Sequence, residues 1–226
     1  MEINKDKLKE AAYDLRFLLN RGYRKKNALT FVANKYVLFK HERNYLARSI
    51  FRDAISESRR KKIINLSEIK NKLVILDGYN VLITVESICR KDYDSLVISD
   101  DCVLRDLNAV FGKYTFNDCT EKALTNIMLL LEKYNPSFVI FFFDSPVSFS
   151  GKLANLANEL MSHYKILGHA NISKNVDYEI VELSKAREGI IASSDSVIID
   201  KVDKIVDIPY NILKMQKNTY IDKLKQ

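Results

Sequence analysis

Hydrophobic positions change period near residue 73, and the change divides the chain in two. Before it, apolar residues recur every three to four positions. Leu8, Ala12, Leu15 and Leu19 mark a helix over about 6–20 that stops at Arg21-Gly22, and Ala28, Phe31, Val32 and Tyr36 mark a second over about 26–36. Tyr45, Leu46, Ile50 and Phe51 place a third over about 40–56. Two short helices joined by a tight turn resemble a helix-turn-helix unit. Beyond a linker or short helix at 66–72, unbroken apolar runs alternate with helical patterns. The series reads strand 73–76, helix 80–88, helix 120–134, strand 138–143, helix 150–163, strand 164–168, helix 175–187, strands 189–194 and 204–208, and a last helix from about 209. Such alternation predicts an α/β domain with a mostly parallel central sheet covered on both faces. Residues 93–98 and 102–111 interrupt the rhythm as a hairpin-like insertion over about 93–116. The expected organisation is a helical domain over 1–65 and an α/β domain over 66–226.

Charge sharpens this division. The 226 residues carry a net charge of +7, but residues 1–72 hold 19 Lys plus Arg against 8 Asp plus Glu, whereas the remainder holds 17 against 21. A basic module joined to an acidic one fits a part that holds a polyanion and a part that holds cations. Arg43, Arg48 and Arg52, followed by Arg59-Arg60-Lys61-Lys62, form the candidate phosphate-binding strip; the plainer reading is a solvated helix face. The longest apolar run is the six residues ending at Phe143 and the N-terminus is charged from Glu2, so neither a membrane span nor a signal peptide is expected and the location reads as cytoplasmic. Cys89, Cys102 and Cys119, like His41, His163 and His169, lack ligand spacing, which argues against zinc and against histidine chemistry. No GxxxxGK[ST] loop is present.

Three apolar runs end in aspartate. Leu73-Val74-Ile75-Leu76 leads into Asp77-Gly78-Tyr79-Asn80, Phe138–Phe143 into Asp144, and Gly189–Ser194 into Asp195. A lone Asp after a strand is usually a helix cap. In a parallel sheet, however, all three project from one edge, where carboxylates repel one another unless a cation is bound. Hard ions such as Mg²⁺ or Mn²⁺ suit such oxygen ligands. Asp177, in the first turn after Asn175-Val176, is the fourth acid; Glu182 lies more than a turn farther on. Asn80 reads as an N-cap whose amide also touches a metal-bound water or the substrate, and Ser193 and Ser194 offer hydroxyls to a phosphate or to the metal shell. A second Asp at position 79, which a haloacid-dehalogenase-type phosphatase needs, is replaced by Tyr79.

In this order, Val74–Asn80, Phe142-Phe143-Asp144, Asn175-Val176-Asp177 and Ala192-Ser193-Ser194-Asp195 resemble the acidic motifs of PIN-like nucleases, including the NYN branch. The basic helical front, Arg105-Asp106, Phe111-Gly112-Lys113-Tyr114 and Ser194-Asp195-Ser196 resemble, over nearly the whole chain, the mostly archaeal domain of unknown function 434 family. The PIN resemblance implies a three-layer α/β/α fold and a nuclease acting most often on RNA. It implies that Asp77, Asp144, Asp177 and Asp195 hold one or two Mg²⁺ or Mn²⁺ ions, with metal-activated water as nucleophile and 5′-phosphate and 3′-hydroxyl products. A homodimer is a further expectation of that resemblance. PIN toxins usually lack the inserted hairpin, where Arg105 and Lys113 are candidate phosphate contacts; a structural ion pair is the alternative for Arg105. The competing function is a nucleic-acid-binding or adaptor protein that has the fold without catalysis.

Overall fold

The computed structural model describes residues 5–108 and 114–216. Four helices build the front module: α1 (Lys5–Asn20), α2 (Lys25–Lys35), α3 (Lys40–Ser49) and α4 (Asp53–Arg60). Ala11, Leu15 and Leu19 of α1 close a small core against Ala28, Val32, Leu38, Leu46 and Ile50. The helix expected over 40–56 is thus two helices. Ile50 and Arg52 adopt extended backbone, and between them the buried Phe51 donates its N–H to Asp100 Oδ2 at 3.1 Å. That carboxylate replaces the helical acceptor, so the helix ends although the apolar spacing continues. Arg48 and Arg52 consequently do not share one helix face.

A single 3-10 turn at Leu66–Ile69 leads into the α/β module. Its elements are β1 (Leu73–Asp77), α5 (Gly78–Cys89), the antiparallel pair β2 (Leu96–Ile98) and β3 (Leu104–Asp106), α6 (Asp118–Tyr134), β4 (Phe138–Asp144) and α7 (Ser150–His163). β5 (Gly168–Ser173), α8 (Val176–Arg187), β6 (Ile190–Ala192), α9 (Ser196–Lys201) and α10 (Ile208–Met215) follow. The main sheet is parallel in the order β5-β4-β1-β6, with Leu73 opposite Phe138, Asp77 opposite Phe142 and Leu76 opposite Ala192. Alternation along the strands sends Val74, Leu76, Phe141 and Phe143 into a core with α5, α6, α7 and α10. Ile75, Ile140, Phe142 and Ile191 turn the other way, toward α8 and α9. Helices therefore cover both faces, as buried parallel strands require.

Two expected strands differ. The one placed at 164–168 runs instead over Gly168–Ser173, after a left-handed residue at Lys165. At 204–208 there are only isolated parallel bridges from Ile205 to Ile63 and Ile191, because Asp207 turns the chain at once into α10 by accepting from Tyr210 N at 2.8 Å. Among the described residues no helix is long and apolar enough to cross a membrane.

Candidate functional site

β1 lies between β4 and β6, so its C-terminal end is flanked by theirs. Asp77 ends β1, and the chain enters α5 directly at Gly78. A Cβ at Gly78 would stand 2.5 Å from the Phe143 ring and 2.7 Å from the Phe142 carbonyl, so only glycine lets α5 start this close to β4. Asp77 itself caps α5: Oδ1 accepts from Asn80 N at 3.5 Å, while Oδ2 accepts from Asn80 Nδ2 at 2.5 Å and Ser193 Oγ at 2.8 Å. Asn80 is the third residue of the helix and not its N-cap, which corrects the expectation for it.

Asp144 ends β4 and is partly buried. Asp195 follows β6 by three residues and caps α9, its Oδ1 accepting from Val197 N at 2.6 Å and Ile198 N at 3.4 Å. Asp177 is exposed in the first turn of α8. Cap and edge carboxylate are therefore the same residue at Asp77 and at Asp195. Ser193 Oγ also accepts from Asp195 N at 3.0 Å, and Ser194 Oγ lies 3.4 Å from Asn80 Oδ1, so one polar network joins the ends of β1 and β6.

The four acids sense one another. Burial, with Asp77 only 2% exposed, pushes its carboxyl up to about 7; hydrogen bonds from Ser193 and Asn80 pull it down, and the charges of Asp195 and Asp144 raise it again. Asp144 is raised by burial and then by Asp177, and Asp177 by burial and then by Asp195. Among the described residues no three His, Cys, Asp or Glu stand close enough to form a metal cage. The donor chemistry nevertheless fits a hard divalent ion, because Mg²⁺ keeps several waters and is ordinarily held by one or two carboxylates together with substrate phosphate.

These ends open into a cleft of about 200 Å³. Asp144 and Asp195 give it acid, Asn80 and Ser194 give it polar groups, Tyr79 and Tyr114 form an aromatic wall, and Arg48 supplies a cation. Arg48 comes from α3 of the front module, where its guanidinium donates to the Asp106 carbonyl. The sequence placed Arg48 on an outward strip; the structure places it in the cleft. Tyr79 and Tyr114 figured within motifs but not as site residues, and Thr84 not at all, although Thr84 lies one turn beyond Asn80 on α5 and helical spacing alone puts the two on one face.

The remaining expectations divide. Arg105 is 3% exposed and holds Asp101 through two hydrogen bonds of 2.6 and 2.8 Å, while its Nε donates to the Ser194 carbonyl at 3.0 Å. It is thus the structural ion pair and not a phosphate contact. Lys113, with Phe111 and Gly112, lies outside the described residues. Arg59 is 4% exposed and engages Asp200 and Asp101, so it leaves the proposed strip. Lys62 donates to the carbonyls of Ile199 and Asp200 at 2.8 and 3.1 Å. Arg43, Arg52, Arg60 and Lys61 are exposed; Arg43 donates to the Leu38 carbonyl at 3.0 Å and Lys61 pairs with Glu57 at 2.9 Å.

Two families match the chain: Protein of unknown function (DUF434) over residues 7–62, and Domain of unknown function (DUF5616) over residues 66–211. The chain belongs to the DUF5616 family. An uncharacterized protein of Methanocaldococcus jannaschii is 37% identical over 203 residues, which is 89% of this chain and 94% of that one. No solved structure matches. The DUF434 match is confined to the front module, where the resemblance had been expected to span nearly the whole chain. Asp77, Asp144, Asp177 and Asp195 all fall in the DUF5616 segment and Arg48 in the DUF434 segment, so the cleft draws on both.

Proposed function

We propose that the chain is a metal-dependent nuclease, acting on RNA, with a PIN-like α/β domain and a helix-turn-helix-like front module. The observation that carries this reading is the cleft itself, where Asp144 and Asp195 face the same space as Arg48. Carboxylates suit a cation, a guanidinium suits a phosphate, and a phosphodiester with its metal presents both partners. Asp144 and Asp195, which line the cleft, would hold Mg²⁺ or Mn²⁺, with Asp77 and Asp177, which do not line it, as the further acids of the set. The ion when bound would lower the pKa of water and stabilise the leaving oxygen.

Arg48 donates to a non-bridging oxygen and positions the scissile phosphate. Asn80 holds Asp77 in place and presents its amide oxygen toward Ser194. Tyr79 and Tyr114 exclude water from one wall. No protein nucleophile is required, and His41, His163 and His169 do not line the cleft. The capping roles of Asp77 and Asp195 favour a second reading, in which the same carboxylates serve structure alone and the protein is a nucleic-acid-binding adaptor.

The test is cleavage of labelled single-stranded and structured RNA with Mn²⁺, with Mg²⁺ and with EDTA, beside Asp144→Asn and Asp77→Asn. The expected result is cutting by wild type with either metal, none in EDTA, and a loss of at least about a hundredfold in each variant with RNA binding retained. Cutting by Asp144→Asn at the wild-type rate would remove the proposed site, and binding without cutting by wild type would establish the adaptor.

A further inference from the structure

The turn that leaves β4 carries a feature the carboxylate cleft does not use. Phe149, five residues past Asp144, precedes α7 in the left-handed region at φ 67° and ψ 11°, and 49% of it is exposed. L-residues with a bulky side chain are disfavoured there, and such backbone strain clusters at binding and catalytic sites. Core packing does not account for it, since the ring is half in solvent.

Its neighbours point to a ligand. The Phe149 ring centroid lies 6.4 Å from that of Phe116, with the planes at 58°, and Lys152 Nζ stands 3.8 Å from the Phe116 centroid. Phe116 is anchored against the main core, and Lys152 is exposed one turn into α7. The turn is pinned to α5 by the Tyr79 hydroxyl, which donates to the Ser148 carbonyl at 3.0 Å, and Val147 of the same turn lines the cleft. An exposed ring, a half-buried ring and an exposed cation therefore stand at the turn whose Val147 lines the cleft.

We propose that Phe149 and Phe116, with Lys152, form a stacking platform for a base of single-stranded nucleic acid next to the nucleotide whose phosphate enters the cleft. The base lies on the exposed Phe149 face and Lys152 neutralises the adjoining phosphate, the combination that single-strand binders use. A duplex keeps its base faces stacked and cannot offer one. One nucleobase covers one ring, whereas a stable protein interface buries about 800 Å² on each side. Placing the phosphate in the cleft rests on the nuclease reading; the stacking does not.

The test uses a short single-stranded oligoribonucleotide containing 2-aminopurine, whose fluorescence falls on stacking, titrated in EDTA against wild type, Phe149→Ala and Phe149→Trp. Wild type and Phe149→Trp should quench the probe. Phe149→Ala should lose the quench and bind about tenfold more weakly, with duplex RNA bound equally by all three. Equal quenching and affinity in Phe149→Ala overturns the platform, as does a wild type that cuts RNA with Mn²⁺ yet never quenches, which leaves the nuclease reading standing. A wild type that quenches but never cuts supports the platform and removes the nuclease reading.

Discussion

Arg59→Met should separate the two modules energetically without unfolding either. Arg59 donates through Nε and a terminal nitrogen to both oxygens of Asp200 at 2.7 and 2.8 Å, and through the other to Asp101 at 3.1 Å and to Ser196 Oγ at 3.2 Å. Removing one partner of a fully buried pair costs about 3–5 kcal/mol because a charge is left alone. Here neither acid is abandoned. Asp101 keeps Arg105, and Asp200, whose side chain is 50% exposed, is rehydrated. What is lost is one buried charge-assisted bond, about 1.5–3 kcal/mol, and the guanidinium over the Phe51 ring at 4.5 Å, about 0.5–1 kcal/mol; methionine fills most of the space. A loss of about 3 kcal/mol follows.

Urea unfolding of wild type, Arg59→Met and Arg60→Met reads this directly. Arg60 is the exposed neighbour on the same helix, and its change should stay within about 0.5 kcal/mol. A double-mutant cycle with Asp200→Asn should show non-additivity of at least about 0.5 kcal/mol. α4 follows α3 after only three residues, so a loosened Arg59 should also disturb the seat of Arg48, and RNA cutting should fall with the fold intact. An Arg59→Met protein no less stable than Arg60→Met would refute the docking argument.

Asp207 is 6% exposed and accepts from Leu104 N and Tyr210 N; burial pushes it from 3.8 to about 6, with those hydrogen bonds opposing. A raised carboxyl contributes stability that is present below about pH 4 and lost as pH climbs through 6, here about 3 kcal/mol. Asp207→Asn should therefore remove that part of the decline between pH 4 and 7.5, as measured by urea unfolding at both ends; parallel curves for variant and wild type would reject the assignment. Replacing the exposed Arg52 and Arg60 together by Gln should lower the slope of log affinity for single-stranded RNA against log salt by about 1.4, and an unchanged slope would make them a solvated surface.

The strand ends bearing Asp77 and Asp144 were legible because a strand buried on both faces is an unbroken apolar run, which no surface element imitates. β5 was misplaced for the converse reason. It is a sheet edge, Gly168–Ser173 is mostly half-buried or exposed, and the more apolar Ile166-Leu167 just before it drew the assignment. The break at Ile50–Arg52 left no local trace, since Ile50 and Phe51 keep helical spacing and the group that ends the helix, Asp100, is 49 residues away from Phe51. The fate of the arginines was equally non-local. Arg59 and Asp200 are 141 residues apart, so nothing near Arg59 distinguishes it from Arg60.

The charge asymmetry has a second meaning once these pairs are known. Arg16 reaches Asp100 at 2.8 and 3.1 Å, Arg59 reaches Asp101 and Asp200, Arg48 reaches the Asp106 carbonyl, and Lys62 reaches carbonyls at the end of α9. Every one of these runs from the basic module to the acidic one. Part of the positive excess therefore serves complementarity within the chain, and other cations, Arg43, Arg52, Arg60 and Lys61 among them, face solvent. The inserted β2–β3 segment is where this docking happens: Asp100 and Asp101 lie in its turn, and Arg105 passes from Asp101 to the Ser194 carbonyl at the cleft. The insertion thus seats the helical module so that Arg48 reaches the carboxylate edge. An α/β module expressed alone would lose that cation and expose Asp101, which gives a physical reason for the two matched segments to be held in one chain.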